Sequence, residues 1–295
     1  MRAKKRLPRC EVASPSTSIA CPSYVGGTFL EGGKLYETVL YEKASGVATI
    51  SLNRPKKLNA FDDAMHEELY DALGEAADVD EVRCIVLRGE GRGFSAGADL
   101  AQIIENADGD PDLGEYLRGS YSRLVKRMVE TPKPIIAALH GPVYGAGMGI
   151  ALACDLRIAA ESAKFSVAFI KIGLMPDAGV TYFLPRVVGL GRAMEMSMLG
   201  DAVDADEALR IGLVNKVATD DSLAEEAQVL AEQLAALPTA ALGRMKVALH
   251  ASFEADLETA LEREAEGQTF CGYTQDHKEG VAAFFEKREA EFTGR

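Results

Sequence analysis

Two short glycine-bearing loops hold the residues best placed to do chemistry: Phe94-Ser95-Ala96-Gly97-Ala98-Asp99-Leu100 and Gly141-Pro142-Val143-Tyr144-Gly145-Ala146-Gly147-Met148. Each follows an apolar run of strand type, Cys84-Ile85-Val86-Leu87 before the first and Pro134-Ile135-Ile136-Ala137-Ala138-Leu139 before the second. After each loop the pattern turns helical. Small residues at a strand-to-helix turn let a ligand approach the backbone and leave the first N–H groups of the helix unpaired. Two such turns side by side can aim two N–H donors at one oxygen. That arrangement is an oxyanion hole, which stabilises a developing enolate or tetrahedral oxyanion.

Alternating strands and helices must position these loops. Strands are expected at Val47–Leu52, 84–87, Ile135–Leu139 and Leu156–Ala160, and helices at 62–77, 113–130 and Ala146–Ala153. Strands separated by helices argue for an α/β core. From about residue 222 the pattern is helical only, with segments at 223–237, Thr239–Ser252, 257–270 and 278–285. The expected organisation is a leader at 1–34, an α/β core at 35–221 and a C-terminal helical region at 222–295, with no fixed-period repeat.

Further short motifs follow in order: Asn53-Arg54-Pro55 with Leu58-Asn59-Ala60, Cys154-Asp155, Gly173-Leu174-Met175-Pro176-Asp177-Ala178-Gly179, and Lys278-Glu279-Gly280 through Lys287-Arg288. With the two loops, these make the chain from about Tyr36 onward resemble the crotonase (enoyl-CoA hydratase/isomerase) superfamily. The resemblance implies a spiral of ββα units with a C-terminal helical cap, an acyl-CoA thioester substrate without a separate cofactor, and a homotrimer or dimer of trimers. It assigns the oxyanion donors to the backbone N–H groups of Ala98 and Ala146. It assigns CoA contacts to Lys56, Lys57, Leu58 and Ala96, with Phe284 and Lys287 reaching the CoA, often that of a neighbouring subunit. Asp99 and Asp155 fall at positions that are structural in the family. Tyr144 and Phe169 are expected to line the acyl pocket, whose shape depends on residues 100–117.

The proton-transfer carboxylates discriminate among the family's reactions. Its hydratases carry two glutamates, one three residues after the central oxyanion residue and one twenty further on. Here Gly149 and Phe169 stand at those positions, and neither side chain can position or deprotonate water. Asp177 stands where double-bond isomerases of the family carry their proton-shuttling acid, and the wording from Phe169 to Asp177 looks most like the 1,2-epoxyphenylacetyl-CoA isomerases. One carboxylate suffices for a 1,3-proton shift on an enolate held in an oxyanion hole. The other reading of Asp177 is a turn or helix-cap aspartate after proline. The expected activity is thus an acyl-CoA double-bond isomerase. The alternatives are an enoyl-CoA hydratase with an atypical acid/base and an acyl-CoA-binding protein without turnover.

The bulk numbers are ordinary for a soluble globular protein. The chain of 295 residues is 47% hydrophobic and 26% charged, with a formal net charge of −13 that disfavours a nucleic-acid surface. No apolar stretch approaches the roughly 20 residues of a membrane span. The five cysteines (Cys10, Cys21, Cys84, Cys154, Cys271) and four histidines (His66, His140, His250, His277) are scattered, with neither disulfide nor metal-ligand spacing. Asp108-Gly109-Asp110-Pro111-Asp112 is reminiscent of a calcium loop, but Leu113 stands where that pattern needs glycine, and a solvated loop is expected. The leader holds Arg2, Lys4, Lys5, Arg6 and Arg9 before a Ser/Pro/Gly-rich stretch. A disordered tail or an over-extended start, on a cytoplasmic protein, is expected there. The same composition fits an organellar presequence, and no apolar segment of a secretory signal follows.

Overall fold

Strands Val39–Ala44 (β1) and Val47–Leu52 (β2) form a hairpin closed by Ser45 and Gly46, both with positive φ. Such a two-residue turn matches the right-handed twist of the strands. The computed structural model describes residues 36–105, 109 and 111–295, so the leader expectation lies outside the described residues. After the hairpin come helix Asp63–Asp78 (α1), capped by Asp62 accepting from the Met65 N–H, and strand Cys84–Gly89 (β3). Helices Leu100–Glu105 (α2), Leu113–Gly119 (α3) and Tyr121–Glu130 (α4) follow. Next are Ile135–Leu139 (β4), Pro142–Tyr144 (β5), Ala146–Ala153 (α5), Leu156–Ala160 (β6) and Lys164–Ser166 (β7). The chain continues through Val180–Val188 (α6), Leu190–Leu199 (α7), Val203–Asp204 (β8), Ala205–Arg210 (α8) and Lys216–Ala218 (β9). It ends in Leu223–Ala235 (α9), Thr239–Ser252 (α10), Leu257–Gly272 (α11) and Gln275–Glu286 (α12).

The six-stranded sheet runs β1-β2-β3-β4-β6-β9, parallel except for the β1 edge, and β5-β7-β8 form a second, smaller sheet. Strand order in the large sheet follows chain order without the reversal of a doubly wound fold. This is the mixed α/β architecture with C-terminal helices that the resemblance implied. Alternation along the strands divides the core. Ile85, Leu87, Ile135, Ala137 and Leu139 join the main cluster, whereas Cys84, Val86, Ile136 and Ala138 face Leu223, Ala227, Ala231 and Ala235 of α9. Helix α9, in the helical region of the sequence, thus covers the second face of the large sheet. Among the described residues no helix is long and apolar enough to cross a membrane.

One expected element is corrected. The helix over 113–130 is two helices, broken at Ser120 with φ −113° and ψ −94°. Gly119 and Ser120 are poor helix formers, and the Ser120 hydroxyl bonds back to the Tyr116 carbonyl at 2.6 Å. The end of the chain also shifts: α12 begins at Gln275, with Thr274 accepting from the His277 N–H at 3.1 Å. Asp112 of the calcium-like stretch caps α3 through the Glu115 N–H, while Asp108 and Asp110 lie outside the described residues.

Asp155 joins α10 to the sheet. Its Oδ2 accepts from the Ile135 N–H at 2.8 Å and pairs with Lys246 Nζ at 2.9 Å, and Lys246 also donates to the Met128 carbonyl. Removing one partner of a buried pair leaves an uncompensated charge. Because Asp155 keeps its amide bond, Lys246→Met should lower stability by about 3 kcal/mol, the low end of that class. Urea denaturation checks this, and a loss below about 0.5 kcal/mol would mark the pair as dispensable, like an exposed one.

Candidate active site

The two glycine loops are held together by backbone bonds. The Ser95 N–H donates to Pro142 O at 3.0 Å and the Tyr144 N–H to Ser95 O at 2.9 Å, a parallel bridge beside Val143 of β5. Fully buried Asn59 fastens the first loop from below: its side-chain amide donates to Glu90 O and Gly93 O, both at 2.9 Å, and its Oδ1 accepts from the Arg54 N–H. The Ser95 hydroxyl donates to Asn59 O and accepts from the Gly97 N–H. Arg54 pairs with both Asp62 and Asp99, so Asp99 is occupied structurally. The Asn53–Ala60 motif therefore forms the underside of the first loop.

Gly97 has φ +100°, and a Cβ there would sit 3.1 Å from Tyr144 O and 3.3 Å from Ala146 N. Only glycine permits both that conformation and that approach. The following N–H, of Ala98, and the N–H of Ala146 at the start of α5 have no acceptor among the described residues, and both residues line one cavity of about 270 Å³. Helix α5 adds the partial positive charge of its N-terminus. Ala96, Tyr144 and Phe169 line the same cavity, as do Leu100, Ile103, Leu113 and Leu117 from the stretch expected to shape it.

Asp177 also lines this cavity, and among the described residues it is the one carboxylate that does so. Its Oδ1 is buried without a hydrogen-bond partner. It caps no helix: Gly179 is the N-cap of α6, and only the Asp177 backbone carbonyl accepts from Val180. Burial pushes the Asp177 carboxyl up to about 6. A structural aspartate would be expected to spend its oxygens on nearby N–H groups, as Asp62, Asp112 and Asp204 do.

Gly149 lies against Asp177's neighbour. A Cβ at 149 would come within 2.7 Å of the Ala178 Cβ and closer still to its carbonyl oxygen. No glutamate fits there without moving residues 177–178. Phe169, 7% exposed, fills the second hydratase position with an apolar ring.

The candidate CoA residues divide into two groups. Lys56 and Lys57 are exposed on a short 3₁₀ turn, without ion pairs among the described residues. Leu58 O accepts from the Ala96 N–H, which ties that turn to the first loop. Phe284 and Lys287 lie at the end of α12, where Phe284 borders a separate hollow with Phe285 and Phe292. The structure does not bring them to the cavity within one chain.

Tyr116, Tyr121 and Lys171 also line the cavity and were not singled out from the sequence, and Leu174 of the Gly173–Gly179 motif lines it too. In one unbroken helix, tyrosines five residues apart would point about 140° away from each other. The break at Ser120 turns both to the same space. Tyr121 is 1% exposed and its hydroxyl is buried without a partner, an orphan costing about 1–3 kcal/mol.

Residues 42–295 match the family model described as enoyl-CoA hydratase/isomerase. The chain is 43% identical over 262 residues to the 1,2-epoxyphenylacetyl-CoA isomerase of Escherichia coli (strain K12), covering 88% of this chain and 100% of that protein. It is 37% identical over 262 residues to the crotonyl-CoA hydratase of Syntrophomonas wolfei, covering 88% and 99%. The crystal structure of an enoyl-CoA hydratase from Bacillus anthracis superposes with a TM-score of 0.81 at 35% identity, covering 88% of this chain and 100% of that one.

The contact at position 149 is directly testable. Alanine in place of glycine gains up to about 1 kcal/mol of helix propensity, against about 1–3 kcal/mol for overpacking. Because the clash is with backbone, the clash should win: Gly149→Ala should lower both the urea midpoint and turnover. A stabilised, fully active variant would show that residues 177–178 yield freely.

Proposed function

The chain belongs to the enoyl-CoA hydratase/isomerase family, and from that premise we propose that it is an acyl-CoA double-bond isomerase with Asp177 as its single proton carrier. The observation that carries this reading is the lone, unpartnered, partly desolvated carboxylate in the cavity that also holds both free N–H donors. The Asp177 carboxylate takes a proton from the α-carbon of a β,γ-unsaturated thioester. Negative charge moves to the thioester oxygen, held by the Ala98 and Ala146 N–H groups. The protonated Asp177 then returns the proton to the γ-carbon, leaving the α,β-unsaturated thioester. Each donor of this type is worth about 2.7–4 kcal/mol of barrier. The bare Gly149 and apolar Phe169 disfavour the alternative, addition of water, because neither can orient a water molecule.

CoA recognition by Lys56, Lys57, Leu58 and Ala96 belongs to the same proposal, the lysines acting as point charges toward phosphate. So does assembly as a trimer or a dimer of trimers, in which Phe284 and Lys287 of one copy would reach the CoA held by the next. Phe284 is 78% exposed and Phe285 77%, apolar surface that an assembly would cover. Light scattering of the purified protein reads the oligomeric state, and a monomer overturns that part.

Asp177→Asn should lower kcat for 3-hexenoyl-CoA on the order of 10²–10⁴-fold while that thioester still binds. Hydration of crotonyl-CoA by the parent protein at a rate comparable with isomerisation would overturn the proposal. The pH dependence has a definite sign. Asp177 must start as carboxylate, so kcat/KM should rise with pH through about 6 and plateau above it. The carboxyl is raised on folding from 3.8 to about 6, so its favourable contribution to stability is complete below the lower value and lost as pH rises through the upper. Asp177→Asn should therefore raise the melting temperature at pH 8 but not at pH 3.5. A variant less stable than the parent at pH 8 would point to a structural role.

A further inference from the structure

The space around Asp177 continues on its far side. A second cavity, of about 460 Å³, adjoins the first, and both are bordered by Leu113, Leu117, Tyr121, Leu174 and Asp177. The two ends differ in character. Ala96 borders the first cavity and not the second, and its N–H donates to Leu58 O, next to the lysines proposed for CoA. Ser122, Val125, Met175 and Gly179 border the second and not the first. A thioester entering from the Ala96 end, with its oxygen on Ala98 and Ala146, has its α- and γ-carbons at Asp177. The carbons beyond the γ-carbon are then directed at the second cavity.

That cavity suits hydrocarbon. Its inner wall is the leucines, Val125 and the Tyr121 ring, with Asp177 at the neck and Ser122 and Lys126 exposed at the rim. Lys126 can lay its stem along the wall and keep its ammonium in water. Tyr121, Ser122 and Val125 share one face of α4. Gly179, with φ +82°, presents bare backbone to them: a Cβ there would come within 3.4 Å of the Val125 Cγ1. Met175, 73% exposed, is apolar surface at the mouth. A short acyl chain ends at or just past Asp177 and leaves this surface wet. A longer one covers it, and each methylene fully removed from water is worth about fourfold in affinity.

We infer that the second cavity holds the tail of the acyl group, with Val125 and Ser122 setting its length. The protein then takes linear acyl-CoA thioesters of about eight to twelve carbons in preference to those of four to six, because only the former bury the added apolar surface. The inference rests on the first cavity being the acyl site of the proposed reaction, but not on turnover.

Titration calorimetry with saturated butanoyl-, hexanoyl-, octanoyl-, decanoyl- and dodecanoyl-CoA, each below its micelle-forming concentration, tests this without any proton shift. The parent protein should bind decanoyl-CoA at least about tenfold more tightly than hexanoyl-CoA, from about twofold for each partly covered methylene. Val125→Phe fills the inner part of the cavity and Ser122→Trp closes its rim. Each should remove most of that gain and leave the butanoyl-CoA affinity unchanged, and the exposed Ser122 position serves alone if Val125→Phe does not fold. Equal affinities from hexanoyl- to dodecanoyl-CoA in the parent overturn the inference and leave the cavity to another occupant, such as a neighbouring copy. A length gain that persists in the variants, whether or not all affinities fall, overturns it too, since the tail would then run elsewhere, past Leu100 of α2. Failure of the isomerase reading would appear separately, as absence of 3-enoyl-CoA turnover with the length dependence intact.

Discussion

The pair of backbone hydrogen bonds between Ser95 and the strand Pro142–Tyr144 is the constraint on which the site depends. The two proposed oxyanion donors come from loops separated in sequence by three helices and strand β4. Their relative position is fixed where Ser95 pairs beside Val143 of β5. Once that bridge forms, Gly97 must pass close to Tyr144 O and Ala146 N, and a side chain there would push the donors apart. Asn59 and Arg54 complete the restraint from the opposite side. The polar groups around the loops are consumed in this framework, and the Ala98 and Ala146 N–H groups are left over. In the proposed reaction that surplus is what acts: donors fixed before substrate arrives need no reorganisation as charge develops.

Asp177 works on the opposite principle. In the proposed reaction its carboxyl serves because it is poorly solvated and its Oδ1 unpartnered, which raises it toward neutrality, where a base has both the correct ionisation and adequate basicity. The same desolvation disfavours the folded state with a charged carboxylate, so function and stability compete at this residue. The missing side chain at position 149 lets residues 177–178 pack directly on α5. The space that a side chain at position 149 would need is taken by Ala178, the residue next to Asp177.

The two loops were legible in the sequence because glycine spacing after apolar runs has a direct backbone meaning. Strands buried on both faces and the long amphipathic helices were legible for the same reason of pattern. Asp177 could be named because the other carboxylate positions held Gly149 and Phe169, while its freedom from a capping role needed coordinates. Other features left little trace. Strands of two or three residues, such as β7 and β8, are too short to show a period. The break at Gly119-Ser120 is one weak pair within an otherwise helical pattern, yet it decides that Tyr116 and Tyr121 face the same cavity. That α9 covers the sheet depends on an alanine face, Ala227, Ala231 and Ala235, which fits against strands as readily as against other helices.

Transfer of a labelled proton tests the single-carboxylate mechanism most directly. 3-Hexenoyl-CoA deuterated at carbon 2 is converted in ordinary water, and the product is read by mass spectrometry and deuterium NMR. With Asp177 as the one carrier in a partly desolvated cavity, 2-hexenoyl-CoA should contain deuterium at carbon 4. Product in which the transferred deuterium is wholly replaced by solvent hydrogen, or a 3-hydroxyhexanoyl-CoA product, would contradict it.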